Sequence, residues 1–143
     1  MDWLARREHS RHELLQKLRN KFPEAPQAVL AGVIDRLGEQ NLQSDQRFAE
    51  AWVRHRKSRG YGYLFIVQEL RARGIPQPLI DRCLFEDDGD WLTIATTMVE
   101  RRLPAGQTLS FGSKEHRRLL NFLQRRGFSP AQIRACLDSR LKA

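Results

Sequence analysis

Apolar residues recur along this chain at helical spacing, and they never alternate over the length a strand needs. Residues 2–8 read as a short helix with Trp3, Leu4 and Arg7 near its inner face. Leu14, Leu15 and Leu18 form the next stripe. Ser10 and Glu13 open it as a capping box, and Pro23 and Pro26 interrupt it. Val29, Leu30, Val33, Ile34 and Leu37 predict an inward face for a helix from about Gln27. Phe48, Trp52 and His55, with Ala49 and Val53 beside them, predict another, capped by Ser44 or Asp45. Gly60 and Gly62 break it, since glycine tolerates positive φ. Ile66, Val67 and Leu70 mark a helix that stops at Gly74, and Pro76 or Pro78 opens one with Leu79, Ile80, Cys83 and Leu84. Trp91 opens a longer pattern through Arg102, with Leu92, Ala95, Met98 and Val99. Residues 104–113 are turn-rich and read as a mobile loop. Ser113 then caps a helix with Leu119, Leu120 and Leu123 that ends at Gly127. The last helix starts at Pro130, with Ile133, Cys136 and Leu137 inward.

The pattern repeats. LLQKLRNKF (14–22), IVQELRARGI (66–75) and LLNFLQRRGF (119–128) align on Leu18, Leu70 and Leu123, at spacings of 52 and 53 residues. Ile80, Cys83 and Leu84 match Ile133, Cys136 and Leu137, so the cysteines read as equivalent core residues. The expected fold is all-α: three tandem three-helix units, at 1–43, 44–88 and 89–143, forming an elongated, curved solenoid. At Gly74 and Gly127 the spacing predicts a Schellman end, with Leu70 against Ile75 and Leu123 against Phe128. Phe22 and Pro23 replace that pair in the first unit, whose helix should end differently.

Charge adds a partner class. The 143 residues carry a formal net charge of +8, which favours polyanions: nucleic acid, an acidic protein face or anionic lipid. Two cysteines make neither a disulfide framework nor a tetrahedral metal site, and the expected setting is reduced and cytoplasmic. The N-terminus has no apolar h-region, and no apolar run is long enough to span a bilayer.

Catalytic chemistry has little support. His9, His12, His55 and His116 lack metal-ligand spacing and read as surface or half-buried. The acidic residues 86–90 read as a solvated turn, and Gly60-Tyr61-Gly62 lacks the context of a phosphate loop. No cofactor or metal is expected. Basic residues instead cluster. Residues 54–73 hold six Lys/Arg against one Glu, and 101–126 hold seven against one. Such patches neutralise phosphates, and Tyr61 and Tyr63 could stack on bases. The candidate contact residues are Arg54, Arg56, Lys57, Arg59, Tyr61, Arg71, Arg73, Arg125 and Arg126.

Asp45-x-x-Phe48-Ala49, Arg54-x-Arg56-x-x-x-Gly60 and Ile66-x-x-Glu69-Leu70-x-x-x-Gly74-Ile75 occur in an order that resembles the RecX (OraA) family of recombination regulators. Arg125-Arg126-Gly127-Phe128-Ser129 is similar to that family's third-repeat signature. The resemblance implies a protein that binds the RecA filament on single-stranded DNA, and an elongated monomer is the default expectation, with the oligomeric state left open by the sequence. The resemblance also implies inhibition of RecA's ATPase, coprotease and strand-exchange activities, and contact with DNA itself. The competing reading of the same three-helix units is an autonomous helix-turn-helix DNA-binding protein.

Overall fold

A computed structural model describes residues 7–142, which contain eight α-helices and no named strand. Trp3 and Leu4, and the start of the helix expected around them, lie outside the described residues. The helices are α1 (Arg11–Lys21), α2 (Gln27–Glu39), α3 (Asp45–Ser58), α4 (Tyr63–Ala72), α5 (Gln77–Cys83), α6 (Asp90–Arg102), α7 (Lys114–Arg126) and α8 (Pro130–Leu137). A short 3₁₀ turn, Asp138–Arg140, follows.

The chain packs as two units. One takes the chain up to Val53 together with Glu69–Cys83. The other takes Arg54–Gln68 and the chain from Leu84. Within the first unit α1 packs on α2 through Leu14, Leu18, Leu30 and Ile34. Ser10 caps α1 in a full capping box with Glu13. Ser44, not Asp45, caps α3: its hydroxyl accepts the Arg47 amide at 3.2 Å. Asp45 instead accepts the Arg11 amide at 2.8 Å. Pro76 opens α5, its carbonyl taking the amides of Leu79 and Ile80. In the second unit α6, α7 and α8 enclose Ala95, Met98, Val99, Leu119, Leu123, Phe128, Ile133 and Leu137.

Helix ends follow the repeat. Ile75 N–H donates to Leu70 O at 3.0 Å and Gly74 N–H to Arg71 O at 3.0 Å. Phe128 N–H donates to Leu123 O at 3.2 Å and Gly127 N–H to Gln124 O at 3.1 Å. Both glycines have positive φ, and all four apolar partners are buried. These are Schellman ends, sealed as the spacing predicts. α1 does end differently, at Phe22 with φ −127°.

Several positions depart from the expected pattern. Val29 and Leu92 are exposed, because each sits one residue, about 100° of helix, from a buried neighbour, Leu30 or Trp91. His55 is exposed although it shares a stripe with Phe48, since the apolar face narrows to Phe48, Ala49 and Val53. His9 and His116 are buried, not surface groups. Each has a hydrogen-bond role that makes burial tolerable: His9 Nδ1 meets Arg7 O at 3.0 Å, and His116 Nδ1 takes the Gly112 amide at 3.0 Å. Cys136 is buried, and burial pushes its thiol up to about 11. Cys83 is only half-buried, its thiol also raised by burial. Both donate to the carbonyl three residues back, Ile80 or Ile133, as equivalent positions should.

Residues 104–113 are anchored at several points rather than loose. The Arg140 guanidinium donates to the carbonyls of Leu103, Pro104 and Gln107. Leu109 is buried, and its backbone bonds to Arg140 O at 2.7 Å and Lys142 N at 2.8 Å.

Candidate anion-binding cleft

The end of α3 creates the site. Gly60 has φ +85°, Tyr61 N–H donates to Arg56 O, and Gly60 N–H donates to Lys57 O, both at 3.1 Å. This is a third Schellman end. The pair it brings together is Arg56 and Tyr61 rather than two apolar residues, and the guanidinium lies 5.1 Å from the ring centroid. Helix capping therefore positions a cation here.

Gly62 has a different task from Gly60, because its φ is not positive. It lets two backbones meet: a Cβ at Gly62 would stand 2.6 Å from the Gly127 carbonyl carbon. The first amides before and in α4, Gly62 and Leu64, donate to Arg126 O at 2.7 Å and Gly127 O at 3.1 Å. Orphan donors at one helix start thus satisfy orphan acceptors at another's end. The contact carries Arg126 to Tyr61, with its guanidinium 4.4 Å from the ring centroid and Nη1 donating to Arg59 O at 2.9 Å.

Arg56, Arg59, Arg126 and Arg101 of α6 converge on an open cavity of about 530 Å³. His55, Ser58 and Tyr61 complete its lining, which contains no carboxylate. Four guanidiniums offer many N–H donors in planar forks suited to phosphate or carboxylate oxygens. With no internal anion in the lining, the cavity is a ready anion site.

The candidate residues therefore separate. Arg56, Arg59, Tyr61 and Arg126 come together, and Arg54 is exposed but outside the lining. Lys57 is committed elsewhere. Its ammonium bonds Asp88 at 2.9 Å and Asp90 at 3.1 Å, and lies 4.7 Å from the Trp91 ring centroid. Burial alone would lower the Lys57 pKa, but the two carboxylates outweigh it and raise it. The Asp90 amide and Lys57 hold Asp88 below its ordinary value. The acidic turn is a clamp, not merely a solvated loop.

Tyr61 is also partly spent: Phe65 stacks on its ring at 4.4 Å, which removes one face from base stacking. Tyr63 packs edge-on against Trp91. Arg71 and Arg73 belong to the first unit. There Arg71 bonds Gln77 and Arg73 stacks on Trp52 at 4.0 Å. Arg125 is one residue from Arg126 and lines a separate groove. Arg101 and His55 complete the cleft without having been singled out. Arg101 carried a signal as the first residue of the second basic stretch. His55 had none, because its spacing from Phe48 points to a core stripe.

Fold and site together define an all-α helical-repeat protein with a cleft on which four arginines converge. Two family models match it: RecX, second three-helix domain, over residues 44–84, and RecX, third three-helix domain, over residues 88–137. Regulatory protein RecX of Halorhodospira halophila is 43% identical over 132 residues, covering 92% of this chain and 80% of that one. Its counterpart in Pseudomonas entomophila is 38% identical over 140 residues, covering 98% and 88%. The fold also matches the crystal structure of RecX from Lactobacillus salivarius, with a TM-score of 0.76 at 20% identity over 96% of this chain and 89% of that one. A crystal structure of a regulatory protein RecX gives 0.74 at 23% identity, over 96% and 68%. The chain belongs to the RecX family of regulatory proteins.

Proposed function

We propose that this protein regulates recombination by binding the RecA filament on single-stranded DNA and suppressing RecA's ATPase, coprotease and strand-exchange activities. The observation that carries the reading is its 43% identity to a regulatory protein RecX over 92% of its length. The arginine cleft supports it physically. A nucleoprotein filament presents phosphates and protein carboxylates together, and guanidinium forks accept both.

In this reading Arg56, Arg59, Arg101 and Arg126 contact the filament, with Arg54 beside them. Lys57 and Arg73 hold the protein together. The chain acts as a cytoplasmic monomer of three three-helix repeats, without catalysis of its own. The test is RecA's single-stranded-DNA-dependent ATP hydrolysis, measured with increasing amounts of this protein. Hydrolysis should fall as the ratio approaches stoichiometric, and an unchanged rate overturns the reading. A sequence-specific repressor would instead prefer a cognate duplex by ~10³ or more over random DNA, and none should be found.

A further inference from the structure

A second concavity in the same unit has a different chemistry. It lies between the end of α6, the anchored 104–113 segment and the outer face of α7, and its volume is about 540 Å³. Its floor is apolar: Leu103, Leu109, Leu119 and Phe122. Its rim is basic: Arg102, Arg118 and Arg125, with Glu115 as the one carboxylate in the lining. On α7 these residues fall at 115, 118, 119, 122 and 125, the i, i+3, i+4, i+7 spacing that lines one helix face. The opposing wall is preformed, because Arg140 ties down Leu103, Pro104 and Gln107 and the Leu109 backbone is bonded on both sides. Among the described residues, no carboxylate lies within ion-pair distance of Arg102, Arg118 or Arg125.

We propose that this groove docks a short acidic peptide segment of a partner protein, with one large apolar side chain seated on the leucines and its carboxylates on Arg118 and Arg125. Charge complementarity selects the occupant. Three arginines without a carboxylate partner among the described residues surround a floor that water solvates poorly. A segment with acidic flanks and an apolar anchor satisfies both at once. Nucleic acid fits less well. Aliphatic side chains give a sugar–phosphate backbone nothing to bond. The one ring in the floor, Phe122, already has the Arg102 guanidinium 3.6 Å from its centroid. The volume lies within the range of ordinary ligand pockets and suits one anchor residue with its neighbours. The groove and the cleft thus divide the second basic stretch of the sequence. Arg126 faces the phosphate-like site and Arg125 the peptide-like one.

The test is a selection of random dodecapeptides displayed on phage against the full-length protein. Binders that also hold Arg118→Ala/Arg125→Ala protein are discarded. Both arginines are exposed, and thermal melts check that the double variant stays folded. The surviving peptides should carry at least two Asp or Glu and one Leu, Ile, Met or Phe. As synthetic peptides they should lose tenfold or more in affinity on the double variant. They should lose as much when the apolar residue becomes Ser or the acids become amides. Oligo-dT binding to the double variant should change less than threefold. The proposal is overturned if no peptide depends on the two arginines, or if dependent peptides lack acidic or apolar residues. It is also overturned if oligo-dT competes with the peptides and weakens in parallel, which would make the groove a nucleic-acid surface.

Discussion

Arg73 follows the last residue of α4 and Arg126 is the last of α7, each just ahead of a glycine at positive φ, yet their surroundings carry opposite charge. In the first unit the Arg73 carbonyl accepts the Ser10 hydroxyl at 2.9 Å. Its guanidinium lies over Trp52, with Nε 3.9 Å from a Glu13 oxygen. In the second unit the Arg126 carbonyl accepts the Gly62 amide at 2.7 Å, and its guanidinium lies over Tyr61. The repeat spacing makes Ser10 equivalent to Gly62 and Glu13 equivalent to Phe65. It likewise makes Glu69, whose backbone carbonyl takes an Arg73 N–H at 3.4 Å, equivalent to Phe122. The same joining of helix start to helix end occurs in both units, through a side-chain hydroxyl in the first and a backbone amide in the second, each meeting the carbonyl just ahead of a glycine. Side chains are free to diverge around it. Where carboxylates stand, the arginine is internal glue. Where phenylalanine stands instead, the cation lines an open cavity.

The joint itself should be broken most severely by Gly127→Val. A Cβ there meets the Phe65 backbone amide, and φ is +97°. The expected loss is about 3 kcal/mol or more, read as a fall in the thermal midpoint. Gly74→Val should cost nearly as much, because its Cβ meets the Cβ of His12 at 2.5 Å, an atom fixed to the α1 backbone, and φ is +75°. A loss under about 1 kcal/mol at either glycine would contradict the obstruction.

Charge reversal separates the two arginines next. Arg126→Glu should weaken oligo-dT binding by about tenfold or more and reduce the salt slope by about 1. Arg73→Glu should mainly lower stability, because it places a carboxylate beside Glu13. Binding assays and melts on the same two variants decide, and a reversed pattern sinks the assignment of roles.

Acid should distinguish the units more gently. His9 is buried, and burial followed by the Arg7 charge holds its pKa below the ordinary 6.5. Its Nε2 faces the Lys17 ammonium at 2.9 Å, so protonation would remove an acceptor and set two cations together. The unfolded chain then takes up the proton first, and stability is lost as pH falls below about 6.5. Burial alone would raise the Glu13 pKa, but Arg7 and the Ser10 amide outweigh it and lower it. A second loss therefore follows below about 4.5. The position equivalent to His9 is Tyr61, so the second unit has no histidine there. Hydrogen exchange at pH 7.5 and 5.5 should show the first unit losing protection before the second.

The smallest effect is expected from Tyr61→Phe, less than twofold on oligo-dT binding, since the ring already packs on Phe65. A large loss would restore the tyrosine as a direct contact.

Much of this architecture was legible without coordinates. Helical spacing, the Ser10 box and the glycine stops each rest on interactions within a few residues, and those survive in any tertiary setting. The leucines aligned at 52 and 53 residues marked the repeat for the same reason. The candidate site was legible only as a basic stretch. Lys57 looked as available as Arg59 until Asp88 and Asp90, more than thirty residues away, were found holding it. Arg125 and Arg126 looked like one patch until the helix turned them into different concavities. Local sequence determined which residues form helices, where those helices stop and that cations cluster. Only tertiary structure decided which cations are neutralised from within and which converge on open space. A charge's availability depends on neighbours distant in sequence, and no local periodicity records them.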